Sequence, residues 1–262
     1  MIIDSHSHLF DTQYNSSAEG GSASGGDREG VIERMKSARV STITVGTSYA
    51  ESVEAVALAE KLDMWATVGQ HPTDQVEEVF DIGRYKELAN KKVVVGVGEC
   101  GLDYVQSKFS KLSIEEEKER QRNLFIEHIE LAKKVKKPLM IHCRNAYHDL
   151  LLMIPDNVRA HIHFFSGDWE VAQKCLDKGF TLSFSGTITF THQYDEVVKN
   201  VPEGMFMIET DAPYVAPASH RGKRNEPAYV LEVAKRVGEL RGISAEKAGE
   251  LASANARRVF GL

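Results

Sequence analysis

Eight short runs of apolar and β-branched residues recur along the chain at nearly even intervals, each separated from the next by a longer amphipathic or charged stretch. They are Met1–Ser5, Ser41–Val45, Met64–Gly69, Val93–Gly98, Pro138–His142, Ala160–His163, Phe180–Phe184 and Met205–Glu209. From His8, just past the first run, to Asp211, just past the last, seven repeats share 203 residues, or 29 each. One strand-helix unit takes about 30 residues, so each repeat has room for a strand and the helix that returns the chain to lie parallel beside it. Eight units in 262 residues predict an α/β fold, a closed (β/α)8 barrel of the TIM type, in preference to an open doubly wound sheet. The chain is read as one domain over residues 1–262.

The intervening helices are legible one by one. Glu115–Lys136 opens with acidic residues, presents Leu124, Phe125, Ile129, Ala132 and Val135 at helical spacing, and stops before Pro138. Glu51–Leu62 and Pro227–Leu240 follow the same pattern. Residues 11–30 do not: 9 of these 20 are Gly or Ser, too little apolar surface to order a core, and they read as a flexible loop after the first strand, either a surface insertion or a lid.

At 42% hydrophobic and 27% charged, the composition is that of a globular protein with a substantial core. The first residues, Met1-Ile2-Ile3-Asp4, carry neither the basic region nor the apolar length of a leader or spanning helix, so no membrane association is expected and a cytoplasmic location is. Three cysteines, Cys100, Cys143 and Cys175, without a Cys-x-x-Cys pair, suit a reducing compartment and give no disulfide framework or zinc knuckle. A net charge of −6 disfavours a protein that coats nucleic acid, but leaves room for a small basic pocket that handles one chain end. No obligate protein partner is indicated.

The histidines carry the chemistry. His6 and His8 close the first strand on one face, roughly 7 Å apart, where both can reach one metal ion; Asp4 shares that parity and is placed to orient a ligand. Glu99, His142 and His163 end the fourth, fifth and sixth runs, and Asp211 follows the eighth. A parallel barrel gathers all these ends on its carboxyl-terminal face, where barrel enzymes build their sites. Four imidazoles and two carboxylates buried together without a cation would carry a heavy desolvation cost. The six therefore read as ligands, with N and O donors suited to Mg, Mn or Zn, and enough of them for two divalent ions spanned by Glu99.

These residues belong to a longer set of motifs. In order they are Asp4-Ser5-His6-Ser7-His8, Gly69-Gln70-His71-Pro72, Gly98-Glu99-Cys100-Gly101-Leu102-Asp103-Tyr104, His142-Cys143-Arg144-Asn145-Ala146, His163-Phe164-Phe165-Ser166-Gly167, Glu209-Thr210-Asp211-Ala212-Pro213-Tyr214 and Arg221-Gly222-Lys223-Arg224-Asn225-Glu226-Pro227. The chain thereby resembles, over essentially its whole length, the TatD family of metal-dependent hydrolases, usually described as deoxyribonucleases. The resemblance implies a metallo-dependent hydrolase barrel, the same six metal ligands, and phosphodiester hydrolysis that trims single-stranded DNA from its 3′ end. The sequence departs from the family's usual pattern at Asn145, where Asp is common, and at Phe164, where Cys is frequent.

Around that centre, Asp211 is the candidate to position the attacking water or take its proton, with Glu99 beside it as the bridging carboxylate. His71 is read as a phosphate donor or a loop-fixing hydrogen bond, and Arg144 as a phosphate fork or a structural ion pair. Arg221, Lys223 and Arg224, followed by Asn225, form a basic loop that is read as a substrate contact or as a solvated loop, and Tyr104 and Tyr214 are candidates to stack on a base or sugar. Glu209 either orients a ligand or forms an inward ion pair. His161 reads as a hydrogen-bonded core histidine, and His128, His148, His192 and His220 as solvated surface groups. Two rivals stand beside the nuclease: an amidohydrolase-like enzyme for a small cyclic amide or ester, and a non-catalytic interaction protein that keeps metal for stability.

Overall fold

The computed structural model describes residues 1–15, 27–73, 78–105 and 112–262. Eight strands, β1 (Ile2–Ser7), β2 (Val40–Val45), β3 (Trp65–Val68), β4 (Val94–Asp103), β5 (Leu139–Arg144), β6 (Ala160–Ile162), β7 (Thr181–Phe184) and β8 (Phe206–Ile208), follow one another in a single sheet in chain order. Every neighbouring pair is parallel. The helices are α1 (Arg28–Ser37), α2 (Tyr49–Leu62), α3 (Ile82–Ala89), α4 (Ile114–Val135), α5 (Tyr147–Met153), α6 (Trp169–Asp177), α7 (Asp195–Asn200), α8 (Val230–Arg241) and α9 (Ala245–Phe260). The sheet curls until its two edges meet: Asp211 N donates to His6 O at 3.0 Å and His8 N to Ala212 O at 2.7 Å. This is the eight-stranded barrel expected from the spacing.

Local chemistry sets the helix ends. The Ser48, Asp81, Ser113, Asp168 and Ser244 side chains accept from first-turn amides, and Ser113 with Glu116 forms a reciprocal box at the start of α4. α4 ends at Lys136, whose φ of 56° is the left-handed conformation that closes many helices. The main core lies between strands and helices, where Leu102, Phe125 and Leu131 are fully buried. A second cluster fills the barrel floor, where Ile3, Ile43 and Met207 pack against Val259 and Phe260 of α9. α9 is pinned there by Ser253 Oγ accepting from Ile3 N at 2.9 Å and by Asn255 Nδ2 donating to Phe206 O at 2.8 Å.

Two expectations are corrected. β4 does not stop before Glu99 but continues to Asp103, so Glu99 lies inside a strand rather than at its end. The helix expected from Pro227 begins as a 3-10 turn, Pro227–Tyr229, before α8. The glycine- and serine-rich stretch lies outside the described residues over 16–26, but its flanks are built in: Tyr14 is buried with its hydroxyl donating to Asn225 O at 2.7 Å, and Arg28 begins α1.

Candidate metal centre

β1 carries His6 and His8 on its inner side, and their Nε2 atoms are 3.2 Å apart. His8 Nδ1 stands 2.8 Å from Val45 O; a carbonyl only accepts, so Nδ1 carries a proton and Nε2 is the ring nitrogen that faces inward. Asp211, three residues past β8 and with a φ of 56°, places Oδ1 3.6 Å from His6 Nε2 and 3.4 Å from His8 Nε2.

Glu99 reaches the centre through a bulge. Val97 faces Leu139 on β5 whereas Cys100 faces Ile141, so β4 holds one residue more than its neighbour over this interval. Gly98, at φ 146°, makes this possible; a Cβ there would lie 2.2 Å from Met140 O. The Glu99 carboxylate then faces two groups of donors. Its Oε2 is 3.3 Å from His6 Nε2 and 3.8 Å from His8 Nε2. Its Oε1 is 2.8 Å from His163 Nε2, 3.1 Å from His142 Nδ1 and 3.5 Å from His71 Nε2.

These spacings suit cations. Two donors each 2.0–2.1 Å from a tetrahedral ion are about 3.4 Å apart, a separation inside the range of distances found in both groups. The donor chemistry agrees, since carboxylate oxygens and imidazole nitrogens converge, and the described partners of Glu99 and Asp211 are imidazoles rather than Lys or Arg. Burial alone would raise the Glu99 carboxyl, but the His163, His6 and His71 imidazoles and the hydrogen bond with His142 hold it well below the carboxylate range. Burial would likewise lower His8, yet the Asp211 hydrogen bond and the Glu99 charge push it up to about 9. His6, which burial and the neighbouring His163 dominate, moves the other way. The three groups His6/His8/Glu99, His71/Glu99/His142 and His6/His163/Glu209 each bring one donor atom per residue close enough to share an ion.

Around them stands a second set of supports. Asp103 Oδ2 lies 3.1 Å from His142 Nε2, fixing which ring nitrogen faces Glu99. Gln121 of α4 grips Asp103 on both sides, accepting from its N at 2.8 Å and donating to its O at 2.9 Å. Glu209 Oε1 lies 3.4 Å from His163 Nδ1 and accepts from Phe164 N at 2.9 Å, while Ser183 donates to its other oxygen. Asp4 touches no ring: its carboxylate accepts from His6 N, from Thr210 N and Oγ1, and from Thr42 Oγ1, and so fastens β1 to its neighbours on both sides. Of these, Asp103 escaped the sequence reading although it lies in the quoted motif; the extra residue in β4 shifts its register and hides which strand neighbour it meets.

The centre opens into a cavity of about 610 Å³ whose wall includes Phe10, Asp11, Arg144, Phe164, Tyr194 and Tyr214. A family model described as TatD related DNase matches residues 3–261. The chain belongs to the TatD family of metal-dependent hydrolases. It is 36% identical, over 99% of each chain, to a Bacillus subtilis protein named an uncharacterized metal-dependent hydrolase, YabD. To the Pectobacterium parmentieri 3′-5′ ssDNA/RNA exonuclease TatD it is 33% identical, over 90% of this chain and 94% of that one. The crystal structure of YjjV, a TatD homologue of Escherichia coli K12, superposes with a TM-score of 0.85 at 25% identity, covering 100% of this chain and 98% of that one.

The remaining sequence candidates divide within this TatD-family barrel. His71, Arg144 and Tyr214 line the cavity, and the Tyr214 hydroxyl donates to Asp11 at 2.9 Å. Tyr104, Arg221, Lys223 and Asn225 are not among the lining residues. Tyr104 donates to Asp149 at 2.7 Å, and Arg221 lies over the Phe190 ring with its Cζ 4.2 Å from the centroid. Asn225 is buried and spends its amide on Thr210 O and Tyr214 O, a brace for the loop that carries Asp211 rather than a group facing substrate. His161 bonds Thr181 and Ser183 in the core, as expected. Two of the expected surface histidines differ: His128 is fully buried, and His220 is half-buried with its ring stacked on Tyr229 at 3.7 Å between centroids.

Proposed function

We propose that the chain hydrolyses phosphodiester bonds of nucleic acid, trimming single-stranded DNA from 3′ ends, with two divalent ions held by His6, His8, Glu99, His142, His163 and Asp211. The observation that carries this reading is the single Glu99 carboxylate with one oxygen on each of two donor groups. When bound there, divalent ions supply electrophilic polarisation of a phosphoryl oxygen and a lowered pKa for water.

The chain's own residues do the rest. His8 through Val45 O and His142 through Asp103 keep one ring nitrogen protonated outward and the other free inward. Asp211 takes the proton of the attacking water, because its side chain is 16% exposed to the cavity whereas that of Glu99 is only 4% exposed. Arg144 pairs with the phosphate as a planar fork, and His71 donates to a phosphate oxygen beside it. Tyr214 and Phe164 flank the mouth, where a base at the chain end stacks. A small cyclic amide or ester is the second reading, favoured by the Asp11 and Glu51 carboxylates in the same wall, which oppose a long run of phosphates.

End-labelled single- and double-stranded DNA and RNA, incubated with Mn²⁺, Mg²⁺ or Zn²⁺ beside an EDTA control, test this. Stepwise loss of 3′ nucleotides that EDTA abolishes is the expected outcome. Intact oligonucleotides alongside hydrolysis of a lactone or cyclic amide would transfer the site to the second reading.

A further inference from the structure

Helix α4 turns a polar face into the protein: Glu117, Gln121 and His128 are buried on it beside Phe125 and Ile129. Gln121 is explained by its grip on Asp103. His128 has no such place in the mechanism, yet it is fully buried, with its ring 4.3 Å from Phe80 and 6.4 Å from Tyr85 between centroids. An imidazole among aromatic rings is costly unless both nitrogens are used, and both are. Nδ1 is 2.8 Å from Leu124 O and Nε2 is 2.9 Å from Gln70 N. A carbonyl only accepts and a backbone amide only donates, so Nδ1 bears the proton and Nε2 is the acceptor. Burial pushes the pKa down to about 4, which keeps that arrangement neutral at ordinary pH.

Gln70 immediately precedes His71. The His71 amide donates to Thr47 O at 2.8 Å, its Nε2 lies 3.5 Å from Glu99 Oε1, and its ring meets His142 edge-on at 4.5 Å. On the other side of His71, the carbonyl of Pro72 accepts from Arg120, again from α4. We propose that His128 is a positioning residue: by accepting from the Gln70 amide it holds the backbone that aims His71 at Glu99 and the cavity. This rests on reading the cavity as a hydrolytic centre in which His71 takes part.

The test compares His128→Met, which keeps the volume but removes the acceptor, with His128→Gln, which returns a neutral one, and with His71→Ala and the His71→Ala/His128→Met double variant. The readouts are kcat and KM for bis(p-nitrophenyl) phosphate with Mn²⁺, Mn²⁺ affinity by competition with a chelating dye, and Tm. His71→Ala and His128→Met should each lower kcat/KM about tenfold or more, with the loss divided between kcat and KM in the same way in both variants. The double variant should stay within about threefold of His71→Ala, because both changes act on one ring. His128→Gln should stay within about threefold of the parent. Losses that multiply in the double variant, a fall in Tm with kcat/KM retained, absence of rescue by folded His128→Gln, or a silent His71→Ala would each overturn the proposal. If His128→Met does not fold, Gln70→Pro removes the same hydrogen bond and leaves α4 intact; it should reproduce His71→Ala, and wild-type kcat/KM in it counts against the proposal. Should the parent chain itself cleave no phosphodiester, the hydrolytic reading fails separately and the Mn²⁺ affinities decide: equal weakening in His71→Ala and His128→Met supports the positioning role, and unequal or absent weakening overturns it.

Discussion

Glu99 concentrates the chemistry of the centre because each of its two oxygens faces a different set of imidazoles. Glu99→Gln keeps the shape and removes the charge. The expected outcome is a fall in bound metal from two ions to one or fewer, by elemental analysis, with kcat/KM down by roughly 10³-fold or more if the ions supply both roles assigned to them. Unchanged metal content and activity would remove the bridging role. Asp103 works one step further out, through the His142 ring. Asp103→Asn can no longer attract that ring proton as a carboxylate does, and a loss of about 10–100-fold in metal affinity or activity is expected, read by dye competition. Gln121→Leu should give a smaller loss of the same kind, since it frees the Asp103 backbone without changing its charge.

Among the elements, α4 shows both what the sequence discloses and what it hides. Its length, its cap and its Phe125/Ile129/Ala132 stripe are local, and the structure places the helix within one residue of the expected bounds at each end. His128 stands three residues from Phe125 and four from Leu124, inside the apolar arc, yet a polar residue type argued for the surface; the helical spacing was the better guide. The strands were legible for a similar reason, since β-branched runs bounded by helices leave few other folds. The bulge at Glu99 was not, because register depends on the neighbouring strand, and only the two nearby glycines hint at it. The tie between Asn225 and the loop of Asp211 was hidden as well, because it is made to backbone carbonyls that no side-chain pattern reveals. The burial of His128 has a consequence for stability. The folded chain keeps this ring neutral down to about pH 4, whereas the unfolded chain protonates it near 6.5. Between these values the unfolded state binds the extra proton, so stability rises with pH from about 4 to 6.5 and gains nothing further above. The difference reaches about 3 kcal/mol at the acid end of that window. His128→Gln should flatten it, which urea denaturation of both chains at pH 4.5 and 7 would measure; an unchanged dependence would mean that other groups carry it.

For the molecule as a whole, a net charge of −6 gives no global attraction for a polyanion, so under the proposed function the phosphates must be held locally. Arg144 is the one Lys or Arg among the described cavity-lining residues, and Arg221 and Lys223 stand outside it. Arg144→Gln should therefore lower the salt slope of single-strand binding by about 0.7 and raise KM even for a dinucleotide. Changing Arg221 and Lys223 together to Gln should alter binding only for longer strands; equal losses on short and long substrates would show that the loop supports the fold instead.

The seam between β8 and β1 has a consequence for how the protein comes into being. His6 and Asp211 meet across it, 205 residues apart in sequence, with the barrel completed by the hydrogen bonds they share. On the ribosome, at roughly 5–20 residues per second, His6 waits about 10–40 s for its partner to be made. Throughout that interval the nascent chain lacks Asp211, and the seam that closes the barrel cannot form. A fragment that ends before residue 211 therefore lacks both the closing hydrogen bonds and the Asp211 carboxylate.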